Sequence, residues 1–230
     1  MKQCICCGGS KLELNPVLWQ SLIDEWQISP FEVEYINRQQ GFHCIQCGSN
    51  LRSMALAKAL MQYYEFYGFL KDFVKDSRFE FIKILEINEA GSLTQFLRYL
   101  PNHKLEVYPA IDLMNIHYFD DMYDTVIHSD VLEHIPYPLR ALSECRRVLR
   151  KSGACFFTVP MIVDRLTRQR EGLVPSYHGT PEQKANDLLV YTEYGCDTWQ
   201  HLIKAGFSEV RLFSLDYPAA HAWVGVKDSD

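Results

Sequence analysis

The stretch Asp120–Pro160, DDMYDTVIHSDVLEHIPYPLRALSECRRVLRKSGACFFTVP, reads without interruption as strand, loop, helix, glycine turn and strand. Tyr123 to His128 is a short β-branched and aromatic run of the kind found in a buried parallel strand. Pro138 suits the first turn of a helix that places Leu139, Leu142, Cys145 and Leu149 on one face. Lys151-Ser152-Gly153 ends that helix, Ala154 to Val159 forms a second buried strand, and Pro160 closes it. A strand-helix-strand unit of this length closes right-handed into a parallel sheet, so an α/β fold is expected. Ligands of such sheets sit beyond the carboxyl ends of the strands, here His128, Ser129 and Asp130, then Pro160 and Met161.

Composition sets the frame around this unit. With 230 residues, 47% of them hydrophobic, the chain can bury one sizeable core and carry a small appendage. A formal charge of -6 offers no global attraction to nucleic acid or acidic membranes, and there is no long basic stripe; a local patch of Arg165, Arg168 and Arg170 is the exception. No apolar run reaches transmembrane length, and Lys2 leads straight into cysteines. A cytoplasmic location is therefore expected, where the eight cysteines serve as thiols or metal ligands.

Two matching knuckles, Cys4-Ile5-Cys6-Cys7-Gly8 and Cys44-Ile45-Gln46-Cys47-Gly48, supply paired thiolates at the spacing of a structural zinc site. Cys4, Cys7, Cys44 and Cys47 are the expected ligands, with Cys6 a possible substitute, and the glycine after each pair permits a tight turn. The long interval between the knuckles reads as a helical insertion. Asn15 is expected to cap a helix begun by Pro16, Ser29 another begun by Pro30, and Gly41 to end it. The chain thus divides into a zinc-ribbon-like segment, 1–52, and an α/β domain, 53–230, whose first helix carries Met54, Leu56, Leu60 and Met61.

Taken in order, Tyr123-Asp124-Thr125-Val126, Val131-Leu132-Glu133-His134 and Arg147-Val148-Leu149-Arg150-Lys151-Ser152-Gly153 resemble the methyltransferase-type-11 branch of the S-adenosylmethionine-dependent Rossmann-like methyltransferases. The likeness runs from about Phe79 to the C-terminus, with Phe81 to Ile87 as the first strand, Glu209 to Leu215 the sixth and Ala222 to Lys227 the last. Cys44 to Arg52 is similar to methyltransferases carrying an N-terminal zinc knuckle, with Arg52 as a structural residue.

The resemblance implies S-adenosylmethionine as cofactor. Its glycine-rich loop falls on Glu86-Ile87-Asn88-Glu89-Ala90-Gly91-Ser92, where Asn88, Ala90 and Ser92 occupy the glycine positions and Gly91 is displaced by one. Glu86, Asn88 and Gly91 would flank the methionine end, Glu106 the ribose, and Asp112 with Leu113 the adenine, while His128 and Asp130 line the pocket. Glu86 and Asp124 are too close in sequence for two full crossovers of at least ~10 residues each, so one edge of the sheet should be short. Lys104 to Tyr108 is expected to be its second strand, and the Ile111 to Asn115 loop the adenine wall.

A methyltransferase needs a base only when its acceptor must lose a proton. His178, in an insertion between Pro160 and Val190 that also holds Arg165, Arg168, Arg170, Tyr177 and Gly179, is the candidate. Glu133 and His134 read as fixing the start of the following structure. The expected acceptor is a small molecule or saccharide; the alternative is a non-catalytic, protein-binding module.

Overall fold

The computed structural model describes residues 1–178 and 188–228. Six strands form the main sheet: β1 (Ile84–Ile87), β2 (His103–Glu106), β3 (Tyr123–Ser129), β4 (Leu149–Thr158), β5 (Glu209–Leu215) and β6 (Ala220–Val226). They lie in the order β5-β6-β4-β3-β1-β2. The pairs β2/β1, β1/β3 and β3/β4 are parallel, whereas β6 runs antiparallel to both β4 and β5. The α/β expectation and its mostly parallel sheet are borne out.

The helix of the central crossover spans Pro138–Val148 and buries Ala141, Leu142, Cys145 and Val148. Leu139 is 39% exposed, so the apolar stripe is turned from the expected one. Leu149 has already left the helix and pairs with Tyr123, and the next pairing in register is Thr125 with Ala154. Lys151-Ser152-Gly153 is therefore an excursion within β4 rather than a connection before it. Ser152 takes a left-handed φ of 58° there.

The sheet is short where expected. Among the described residues no strand or helix separates Glu106 from Tyr123, and the Asp112–Asn115 turn carries only an isolated bridge. Arg147 and Glu144 of the crossover helix take over the anchoring. Arg147 donates to the carbonyls of Ile116 and Tyr118 and to Asp120, while Glu144 accepts from the Ile116 amide at 2.9 Å. β2 ends at Glu106, two residues earlier than its sequence suggests.

Ahead of the sheet, α1 (Pro30–Gly41) begins with a capping box in which the Ser29 side chain and Glu32 satisfy each other's backbone amides. It ends where a Cβ on Gly41 would lie 1.9 Å from the Asn15 carbonyl oxygen. The helix expected at Pro16 starts instead at Gln20 and runs only to Glu25. The Asn37 side chain accepts from the amides of Val17 and Leu18, and the Asn15 amide pairs with the Gly41 carbonyl. Leu12–Leu14 then pairs antiparallel with Phe42–Cys44, bringing the knuckles together.

α2 (Leu51–Tyr63), capped by Asn50, is buried along almost its whole length and lies against the sheet. Its N-terminus reaches the carboxyl ends of β1 and β3.

Candidate active site at the strand ends

A cavity of about 380 Å³ opens beyond β3 and β4. One wall comes from the N-terminal insertion, with Trp19, Leu22, Trp26 and Ile36; another is Pro160-Met161-Ile162, directly after β4. Arg52, Asp130, Glu133, His134 and His178 converge on it. Such a space, mostly apolar with a few convergent polar groups, has the form of a small-molecule site.

Two of these residues form an ion pair. Arg52, in the first turn of α2, is 6% exposed and meets Asp130 Oδ2 at 2.5 Å. Asp130 follows β3 with a left-handed φ of 56°, a turn that an aspartate tolerates better than most residues. The other atom of each group, Arg52 Nη1 and Asp130 Oδ1, is buried without a hydrogen-bond partner. Burial raises the Asp130 carboxyl above its ordinary value even though Arg52 opposes the shift. Glu133 is pushed up further, by burial and by the nearby Asp130 charge. His178 is driven down to about 3 by burial, with His134, Arg52 and Arg170 adding to it, so its ring is neutral at ordinary pH.

The segment after β4 is stapled to the insertion. Arg165 donates to Glu32 and to the carbonyls of Trp26 and Gln27. Arg170 reaches Glu193, Glu25 and the Val174 carbonyl, and Arg168 pairs with Glu193. The Trp26 indole donates to Ser176 Oγ. The three arginines expected to meet an anionic ligand are thus spent on carboxylates and carbonyls. Tyr177 forms an isolated bridge with Leu189; Gly179 lies outside the described residues.

The residues expected at the cofactor divide into two groups. Glu86 is fully buried, and its carboxylate accepts from the Ala90 amide and Thr94 and faces His103 Nε2 at 2.6 Å. It ties the loop down with no free oxygen to offer. Asn88, at φ 53°, accepts from the Tyr108 amide, and Glu106 accepts from the Tyr118 hydroxyl and pairs with Lys104. Asp112 turns Oδ1 back onto the Met114 amide, and Leu113 is buried in the core. His128 points into the core, where its ring stacks on Phe157 and lies 3.9 Å from Cys155. Gly91 takes φ 57°, and a Cβ there would meet Ser53 Oγ at 2.7 Å, so this glycine lets the loop dock on α2. Of the expected set, Asp130 alone faces the cavity, joined by His178.

Residues 90–157 match the family described as a methyltransferase domain. The matched segment covers the loop after β1, the shortened edge, β3, the crossover helix and most of β4. In fold the chain is similar to a SAM-dependent methyltransferase from Methanosarcina mazei, at 12% identity over 66% of this chain and 94% of that one, TM-score 0.43. It is also similar to the CMeT domain of the citrinin polyketide synthase (10% identity, 65% and 47% covered, TM-score 0.42) and to the [4+2]-cyclase SpnF (15%, 63% and 59%, TM-score 0.38). The chain thus spans about half the length of the synthase domain. No curated protein matches it.

Docked against the α/β domain are the two knuckles. Cys4, Cys7, Cys44 and Cys47 place their sulfurs within 4.8 Å of one another, with Cys4–Cys47 and Cys7–Cys44 at 3.6 Å. Four thiolates at ~2.3 Å from one tetrahedral ion would stand ~3.8 Å apart, so the set fits zinc. Gly8 and Gly48 are left-handed, at φ 78° and 72°, and each donates its amide to the carbonyl of the first cysteine of its knuckle. Cys6 is buried outside the group. The first knuckle accepts from the Leu70 and Lys71 amides through the carbonyls of Ile5 and Cys6; the second accepts from Gln95 through the Cys47 carbonyl.

Sequence reasoning gave Arg52 a structural role and Glu133 and His134 a turn-fixing one, whereas all three line the cavity. The available signal was Arg52 itself, a charge in the midst of Leu51, Met54, Ala55 and Leu56, which are all fully buried. A buried charge requires a partner.

Proposed function

We propose that the chain is an S-adenosylmethionine-dependent methyltransferase whose small-molecule or saccharide acceptor occupies the cavity between the N-terminal insertion and the ends of β3 and β4. The observation that carries this reading is the pair of unpartnered, buried atoms on Arg52 and Asp130. They lie between the β1 loop, docked on α2 through Ser53, and the cavity. A methionine carboxylate would complete Arg52 Nη1 and its ammonium Asp130 Oδ1, so the residues present fit the amino-acid end of the cofactor. When bound, the cofactor supplies an electrophilic methyl group on sulfur. The protein's own task is to hold an acceptor in line and keep water out, which the apolar walls support. Zinc in the four-cysteine cluster would be structural, with all four positions taken by thiolates.

Calorimetry with S-adenosylhomocysteine tests this. Binding that is lost in Arg52→Ala supports the reading, and no binding at millimolar ligand overturns it. A second reading, a non-catalytic protein-binding module, draws on the saturated Glu86 carboxylate and would then take its place.

A further inference from the structure

Glu133, His134 and His178 bring one carboxylate oxygen and two imidazole nitrogens within 4.8 Å of one another at the cavity wall. Glu133 is 1% exposed, and neither of its carboxylate oxygens has a hydrogen-bond partner. His134 Nε2 stands 3.7 Å and His178 Nδ1 3.8 Å from Glu133 Oε1, close enough to share a ligand and too far to satisfy the carboxylate directly. Burial disfavours the charged carboxylate here, and a positive group bound beside it would restore the charge and use both oxygens.

The geometry points to a divalent-cation site formed by Glu133, His134 and His178, separate from the four-cysteine cluster. His134 is preset for it. Its Nδ1 donates to the Leu189 carbonyl at 2.9 Å, which orients the ring with Nε2 on the Glu133 side. A backbone carbonyl on the far nitrogen is the usual device for orienting a metal-ligating imidazole. The Glu133 backbone is held as well, since its carbonyl accepts from the Tyr191 amide at 2.7 Å. Three ligands at ~2.1 Å from one ion stand ~3.4 Å apart, so the two separations from Glu133 need close up by only a few tenths of an ångström. Two imidazoles and one carboxylate make a set for zinc, manganese or ferrous iron, with coordination positions left open toward the cavity.

The inference stands apart from methyl transfer, and its test uses no cofactor. The full chain, with zinc in the cysteine cluster, is titrated with Mn2+, which favours nitrogen and oxygen over four thiolates, and binding is read from the loss of the free-ion electron paramagnetic signal. One Mn2+ per chain is expected. Glu133→Gln and His178→Ala should each weaken it at least tenfold, with circular dichroism matching the parent. Should Glu133→Gln fail to fold, His178→Ala alone decides, because that side chain is 23% exposed against 1% for Glu133. Absence of Mn2+ binding in the parent, or binding unchanged in the folded variants, overturns the site. Failure of S-adenosylhomocysteine to bind leaves it untouched.

Discussion

Arg52 and Asp130 meet at 2.5 Å although one starts the helix after the second knuckle and the other follows the central strand of the sheet. The Arg52 side chain is 8% exposed and that of Asp130 33%. The arginine therefore has less access to water if its partner is lost.

Removing one partner of a buried pair leaves an uncompensated charge, at a cost of ~3–5 kcal/mol when both groups are deep. Asp130→Asn should accordingly destabilise the chain by about 3 kcal/mol and Arg52→Met by less, as read from urea unfolding midpoints. The reverse order would show that Asp130, not Arg52, is the group the fold shields.

The four-cysteine cluster gives a prediction about metal. Cys44→Ser should release one zinc per chain and loosen the Leu70–Phe73 helix, whose first amides are held by the Ile5 and Cys6 carbonyls. Cys155→Ser, in the core beside His128, should leave the zinc content as it was. Metal analysis of the purified variants separates the two cases.

Glu144 makes the shortened edge sensitive to acid. Its hydrogen bonds from Arg147 hold its carboxyl below the ordinary 4.5, against the opposing effect of partial burial and with help from the Ile116 amide. A depressed carboxylate contributes stability that is complete above 4.5 and lost as pH falls through its lower folded value. Thermal scans should show Tm dropping from about pH 5 downward, with a shallower slope in Glu144→Gln. Parallel slopes would assign the acid loss elsewhere.

Gly91→Ala tests the docking of the β1 loop. It meets two obstacles, a left-handed φ of 57° and Ser53 Oγ at 2.7 Å from the new Cβ. The backbone alone costs roughly 1–2 kcal/mol. Combining it with Ser53→Ala should restore only the part due to crowding, so the double variant should be intermediate in a denaturant titration. Full restoration would mean that the backbone conformation carries no strain.

The crossover, the helix cap at Ser29 and the paired cysteines were legible because each is set by residues a few positions apart. Pro16 misled because Asn37, far along the chain, takes the amides that Asn15 was expected to serve. Strand β3 is buried on both sides, so alternation could not say which face His128 would choose, and it chose the core. Glu86 was correctly placed at the end of β1, but its saturation depends on His103 and Thr94, whose approach only the folded loop determines. Arg52 was visible as a charge in an apolar helix; that Asp130 would answer it was not.

The cavity is closed by contacts between distant parts of the chain: Trp26 to Ser176 spans 150 residues, and Arg165 to Glu32 spans 133. Bringing such distant segments together costs loop-closure entropy that the locally paired sheet strands do not face. Loss of those contacts would part the insertion from the segment after β4 while the sheet stays intact. Small molecules can enter a closed-walled cavity by that route, and amide exchange should find this seam the least protected part of the fold.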